Sequence, residues 1–161
     1  MAEPLSDFVV SMRDRELGDD LRDLAARHVL DTLASVVACR DLEPAVVGRR
    51  YATAHSGGSG LTILGTRDRA APVDAAFASA MTAHGAEIND FIPSVFVQPG
   101  PAVVSVALAL AEQRALSGDA LVRAVVAGYE VAARVPRAVG VGNLRRAGVA
   151  NHGVGPTFGS A

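Results

Sequence analysis

Apolar positions recur at helical spacing along most of the chain. After Asp19 and Asp20, residues Ala26, Val29, Leu30, Leu33, Val36 and Val37 fall on one face of a 3.6-residue period, which predicts a long amphipathic helix. Its polar side carries Arg27, His28 and Asp31. Arg27 and Asp31 are four positions apart and are placed to pair across one turn, while His28 reads as solvated helix surface. A shorter helix is predicted over 45–55, ending at the glycine-rich SGGSG, and LTILG beyond it has the β-branched look of a brief extended segment. No Gly-Lys-Ser/Thr follows those glycines, and Ser59 lacks the glycine two residues on that a nucleophile elbow needs, so SGGSG reads as a turn.

Pro72 and Asp74 give a first-turn signature to AAFASAMTAHGAE, a helix with small residues on nearly every face that permit close approach of its neighbours. A polar break follows. Pro99, Gly100 and Pro101 then lead into AVVSVALALAEQRAL, apolar almost all round through its first turns and therefore predicted to be central. Ser117 and Asp119 offer a cap for LVRAVVAGYEVAARV, where Leu121, Val125, Tyr129 and Ala132 make a buried stripe before Pro136 and Gly140 stop it. Gly140 and Gly142 begin a G-x-G, yet Arg145 occupies the third glycine's place and no strand precedes it, which argues against a dinucleotide site. With no repeat or heptad array, the expected fold is all-α: a compact helical bundle forming a single domain over residues 1–161.

Composition narrows the chemistry. Half of the residues are apolar but only 4% are aromatic and Trp is absent, so the core is built from Ala, Val and Leu. The net charge is −2 and every basic residue is an arginine. Without lysine, this chain offers no Schiff base, lysine general base or phosphate-loop lysine of its own. The arginines are dispersed among acids, which disfavours nucleic acid as a partner. Cys39, the single cysteine, excludes an internal disulfide and any cysteine-rich metal site, and makes the cytoplasm the default address. The N-terminal MAEPLSD is acidic where a secretory signal is basic, and the longest apolar run, 102–111, is too short to span a bilayer, so no membrane association is expected.

The candidate chemistry lies in HGAEINDFIPSVFVQPGP, which sets His84, Glu87, Asn89, Asp90 and Gln98 between two apolar helices. Two readings stand side by side. Asn89 and Asp90 can simply stop a helix while Glu87 and His84 are solvated, or a carboxylate partly buried at the helix end can act as acid or base, with His84 facing Glu87 three residues on. Metal ligation has weaker support, since these two lack a third ligand at a recognisable spacing.

The blocks DAAFASAMTAHGAEIND, PGPAVVSVALALAE, SGDALVRAVVAGYEVAARV and NHGVGPTFGSA, in that order, resemble the N-terminal helical region of the MmgE/PrpD family, which includes 2-methylcitrate dehydratase and cis-aconitate decarboxylase. The resemblance covers nearly the whole chain from about Asp31 onward. It implies a helical domain with a smaller α+β lid domain, assembly as a homodimer, and lyase or isomerase chemistry on small polycarboxylates with no cofactor. EIND occupies the place of the family's D-F-[DN]-D-T motif: Glu87 stands for its first aspartate, Asn89 and Asp90 match, and Phe91 replaces the threonine. Gln98 stands where the family commonly has a histidine before proline, and His152 matches the histidine of the later His-Pro-Thr-Gly block. By this comparison the expected catalytic groups are Asp90, His152 and Glu87, with Asn89 and Gln98 contacting a small-molecule substrate; His84 joins the contacts by its spacing from Glu87, and Arg145 as a cation to offset the acidic segment.

The chain ends at FGSA, so the lid domain is expected to be absent, leaving apolar faces and Phe158 to be covered by a homo-oligomer or by a separately encoded second half. No arginine lies between Arg69 and Arg114, and an anion bound in the polar segment would meet Glu87 and Asp90 unaided unless Arg145 and Arg146 converge on it. Three functions are consistent with these residues: a lyase or half of a split lyase removing water or carbon dioxide from a small carboxylate; a repurposed isomerase or cyclase acting on a less charged molecule; and a noncatalytic helical partner subunit.

Overall fold

In the computed structural model, which describes residues 4–161, the polar break at 84–99 lies where several helices of a bundle converge. The first three residues, part of the acidic stretch read above, lie outside the described residues. Eight helices are described: α1 (Leu5–Ser11), α2 (Asp19–Cys39), α3 (Glu43–Ser56), α4 (Pro72–Ala83), α5 (Gly100–Arg114), α6 (Gly118–Val139), α7 (Val141–Arg146) and α8 (Asn151–Gly159). Two short strands, β1 (Leu61–Thr62) and β2 (Arg69–Ala70), pair antiparallel between α3 and α4, with Leu61 opposite Ala70. The all-α expectation holds, with that small ribbon as its exception.

α5 is central, as its unbroken apolar run predicts. It touches α2, α4, α6 and α8, and its first two turns, from Gly100 to Ala107, carry its buried residues. One core cluster joins Phe8, Met12, Leu17, Ala25, Val104, Ala107, Val125 and Val126, and a second joins Ala52, Leu61, Ile63, Ala70, Ala75 and Ala78 beside the ribbon. The glycines of SGGSG do form a turn, with Gly57, Gly58 and Gly60 all at positive φ, where a Cβ is penalised. Glu112 on α5 accepts from the Thr62 amide and hydroxyl and from Arg69, tying the ribbon to the central helix.

The helix readings need four corrections. α2 is rotated relative to the face expected of it: Ala25, Thr32, Ser35, Val36 and Cys39 are buried, while Leu30 is 67% and Val37 61% exposed. Burying Thr32 and Ser35 in place of two large apolar residues brings small side chains against α4, α5 and α6, where bulk is excluded by close approach. Arg27 pairs with Asp23, at 3.5 Å, rather than with Asp31. The helix α4 stops at Ala83 instead of continuing to Glu87, and α6 runs through Pro136 to Val139.

Pro136 is tolerated because of what lies beside it. A proline has no N–H for the carbonyl four residues back, here that of Ala132, and a Cβ built on Gly155 of α8 would fall 2.5 Å from the Ala132 oxygen. Gly159 is likewise pressed against the Gly128 carbonyl, so α8 lies backbone to backbone on α6. That contact explains why α8 is not foreseen from the sequence; α1 and α7, of seven and six residues, are too short to show a period of their own. The sequence NHGVGPTFG has poor intrinsic helix propensity, and its helix is held by packing that local pattern does not reveal.

Candidate functional site

The segment joining α4 to α5 begins with His84 at the C-cap of α4 and turns through Glu87, a non-glycine residue at φ 52°. It then folds back on itself at a bridge between Ile92 and Val97, with Val95 and Val97 buried beneath it. This anchoring delivers Asp90 to the N-terminus of α5, where its Oδ1 accepts a 3.0 Å hydrogen bond from the Gly100 amide. That amide is among the first-turn donors with no partner inside the helix, so the carboxyl satisfies it.

Around Asp90 the helices supply a polar cluster inside an otherwise apolar packing. His28 of α2 places Nδ1 3.5 Å from Asp90 Oδ2, and its ring packs on that of Tyr129 from α6 at 4.7 Å between centroids. Thr32 lies one turn on from His28 on α2. A Cβ placed on Gly100 would fall 2.5 Å from Asp90 Oδ1, 2.7 Å from Thr32 Oγ1 and 3.0 Å from the Tyr129 hydroxyl. Three polar side chains from three elements therefore converge on the one α-carbon without a side chain, and only glycine leaves them room.

The cluster is incompletely satisfied. Thr32 Oγ1, the Tyr129 hydroxyl and Asp90 Oδ2 are shut off from solvent and complete no hydrogen bond of normal geometry, although the Tyr129 hydroxyl lies close enough to Asp90 to influence its titration. Burial pushes the Asp90 carboxyl above the ordinary aspartate value; the Tyr129 hydroxyl, the Gly100 amide and His28 pull it down without cancelling the effect, and the charge of Asp31 adds to the rise. The Tyr129 hydroxyl is pushed strongly upward, first by burial and then by the Asp90 charge. It stays protonated, with its proton available to the Asp90 charge beside it.

Two open cavities meet at His28. One, of about 370 Å³, is lined by Leu24, Arg27, His28, Asp31, Ile88, Asn89 and Asp90. The other, of about 290 Å³, is mainly apolar, with Leu21, Leu24, Ala25, Val125, Val126 and Ala133 beside His28, Tyr129 and Glu130. The arginine among these lining residues is Arg27, on the exposed side of α2.

Of the residues expected from the sequence, His84, Asn89 and Asp90 are brought together. His84 Nδ1 is 3.0 Å from Asn89 Oδ1, and the buried Asn89 donates through Nδ2 to the Asp90 carbonyl at 3.3 Å. Glu87 stands 4.0 Å from His84 Nε2 with its side chain 76% exposed. Gln98 is half-buried just before α5. Arg145 lies exposed in the last turn of α7, and His152 lies exposed in the first turn of α8. Among the described residues no hydrogen bond or ion pair joins either of them to Asp90.

His28, Thr32 and Tyr129 are the members of the site that sequence reasoning missed. Tyr129 was legible only as part of a buried stripe, and His28 only as a helix surface. The available signal was that α2 carries Thr32 and Ser35 within its apolar face, which marks a polar interior near His28. Among the described residues, no group of three or more His, Cys, Asp and Glu is placed to hold a metal ion, and no helix is long and apolar enough to cross a membrane.

No curated protein matches the chain closely enough to count as a relative. The family comparison is decisive where that one is silent: residues 3–161 match the model of the MmgE/PrpD N-terminal domain, and the chain therefore belongs to the MmgE/PrpD family.

Proposed function

We propose that this chain carries the proton-transfer site of a lyase, or of half of a split lyase, that removes water or carbon dioxide from a small carboxylate. The observation that carries this reading is the Asp90 carboxyl, held beneath an open cavity with its basicity raised by burial. Elimination of water beside a carboxylate requires a group to take a proton from carbon and a group to protonate the departing hydroxyl. A carboxyl whose pKa is raised by burial is better matched to such exchange than an ordinary surface aspartate.

Asn89 at the cavity wall, with His84 hydrogen-bonded behind it, is the hydrogen-bonding group for the substrate, and Arg27 on the same wall is the cation for its carboxylate. Gln98, half-buried just before α5, is a further polar group for substrate contact. The family resemblance points to His152 and Glu87 for further proton transfer, and the shortage of positive charge near the acidic segment points to Arg145 for substrate contact. For His152 and Arg145 this role calls for a rearrangement of α7 and α8 or a covering chain, either a second copy or a separately encoded half.

The test is turnover of citrate, 2-methylcitrate and cis-aconitate by the purified protein, followed by proton NMR. Loss of water or carbon dioxide that falls by about 100-fold or more in Asp90→Ala supports the reading. Full activity in that variant would sink it. The mainly apolar cavity next to His28 favours a second reading, an isomerase or cyclase acting on a less charged molecule. That reading gains if uncharged analogues turn over and the tricarboxylates do not.

A further inference from the structure

We infer that His28, which lies outside every family motif in the chain, is the group that exchanges protons with the substrate, and that Asp90 acts through it as a positioning residue. The inference rests on the proton-transfer reading above and names the atom that performs it. Asp90 Oδ1 is occupied by the Gly100 amide, and Oδ2 is sealed from solvent with His28 Nδ1 facing it at 3.5 Å. A substrate in the open cavity has no route to that oxygen. His28 spans the gap: its side chain is 33% exposed against 8% for Asp90, its Nδ1 faces Oδ2 at 3.5 Å, and it contributes to the walls of both cavities.

The ring is held from three directions. Asp90 faces Nδ1, Tyr129 packs against the ring plane at an angle of 47°, and the rigid α2 backbone fixes the root of the side chain. A carboxylate facing Nδ1 selects the tautomer with the proton on that nitrogen, which leaves the Nε2 lone pair as the base. The chemistry then closes on His28 alone. Nε2 takes the proton from the carbon beside the substrate carboxylate, the C–H electron pair becomes the new double bond as the C–O bond breaks, and Nε2–H gives its proton to the departing hydroxide. Water leaves and the imidazole is neutral again. Asp90 stabilises the imidazolium that exists between the two transfers, and the Gly100 amide and Tyr129 hydroxyl support the Asp90 charge during that interval.

The same arrangement predicts the kind of molecule accepted. His28 divides a polar cavity with Arg27, Asp31 and Asn89 from one walled by Leu21, Val125, Val126 and Ala133. A substrate whose reacting carbon lies at Nε2 places its carboxylate on the Arg27 side and an alkyl portion on the other. A carboxylate with an alkyl substituent at the reacting centre fits this division better than one polar at both ends.

Two measurements decide the matter. The first is the ring tautomer of His28 by long-range 15N–1H NMR, with the resonance assigned by its loss in His28→Gln. The expected result is a proton on Nδ1 in the unaltered protein, shifting to Nε2 in Asp90→Ala; a proton on Nε2 in the unaltered protein overturns the inference whether or not a substrate is known. The second is dehydration of 2-methylcitrate and exchange of its protons in D2O, comparing His28→Ala, Asp90→Ala and the unaltered protein, with unchanged thermal midpoints as the check on folding. His28→Ala is expected to lose about 100-fold or more in kcat with little change in KM, and to recover part of it with added imidazole. Retained activity in His28→Ala with loss in Asp90→Ala overturns the role of His28 while leaving the Asp90 reading intact. Retained activity in both overturns the two together.

Discussion

Nδ1 of His28 lies 3.5 Å from Oδ2 of Asp90, although the two residues come from α2 and from the segment that precedes α5. The contact couples a solvent-reachable imidazole to a carboxyl whose other oxygen is committed to the Gly100 amide. Each of the two groups would be unremarkable elsewhere: a helix-surface histidine and a helix-capping aspartate. Their meeting at the junction of two cavities is what gives the site directionality, with the buried acid behind and the ring in front.

Asp90→Asn is expected to stabilise the protein at neutral pH. The folded-state pKa of Asp90 is raised above the ordinary value of 3.8, so the native fold prefers the neutral carboxyl. The resulting contribution to stability is full below 3.8 and is lost as pH rises through the folded-state value. Asparagine keeps an oxygen for the Gly100 amide and removes the buried charge. Thermal unfolding at pH 4 and pH 8 should show a higher midpoint for the variant at pH 8 and a smaller difference at pH 4. A variant midpoint at or below that of the unaltered protein at pH 8 would count against the buried-charge account.

Gly100→Ala should damage the site and the fold together. Its Cβ would enter a space bounded at 2.5 Å by Asp90 Oδ1 and at 2.7 Å by Thr32 Oγ1, and both are buried atoms on packed elements. Overpacking of this kind costs about 1–3 kcal/mol. Urea unfolding should give a lower midpoint with an unchanged slope, and the long-range NMR signature linking His28 to Asp90 should alter. Unchanged stability would mean that the cluster is looser than the distances imply.

Glu87→Gly should raise stability slightly. At φ 52° a residue with a Cβ is strained by roughly 1–2 kcal/mol, and the added chain entropy of glycine in the unfolded state returns roughly 0.4–1 kcal/mol of that gain. The ion pair lost with His84, long at 4.0 Å and with Glu87 largely exposed, contributes little. A net gain of about 0.5 kcal/mol is expected by denaturant titration. Replacement by valine at the same position, which tolerates positive φ far less, should move stability the other way.

Period and composition were enough to settle the helical class, the central place of α5 and the turn at SGGSG, because these follow from runs of local preference that the chain carries within itself. The motif around Asp90 was legible for a similar reason: polar residues between apolar helices demand partners wherever they are put. What needed the tertiary structure was the rotation of α2. Whether Leu30 or Thr32 faces inward depends on how closely α4, α5 and α6 approach, and small residues on both sides of that contact decided it. That rotation turned His28 from a surface residue into the neighbour of Asp90 and Tyr129. The helix α8 was decided in the same way, by glycines whose value lies in the backbone they touch on α6. Sequence determined which side chains could do chemistry, and the packing of helices distant in the chain determined which of them meet.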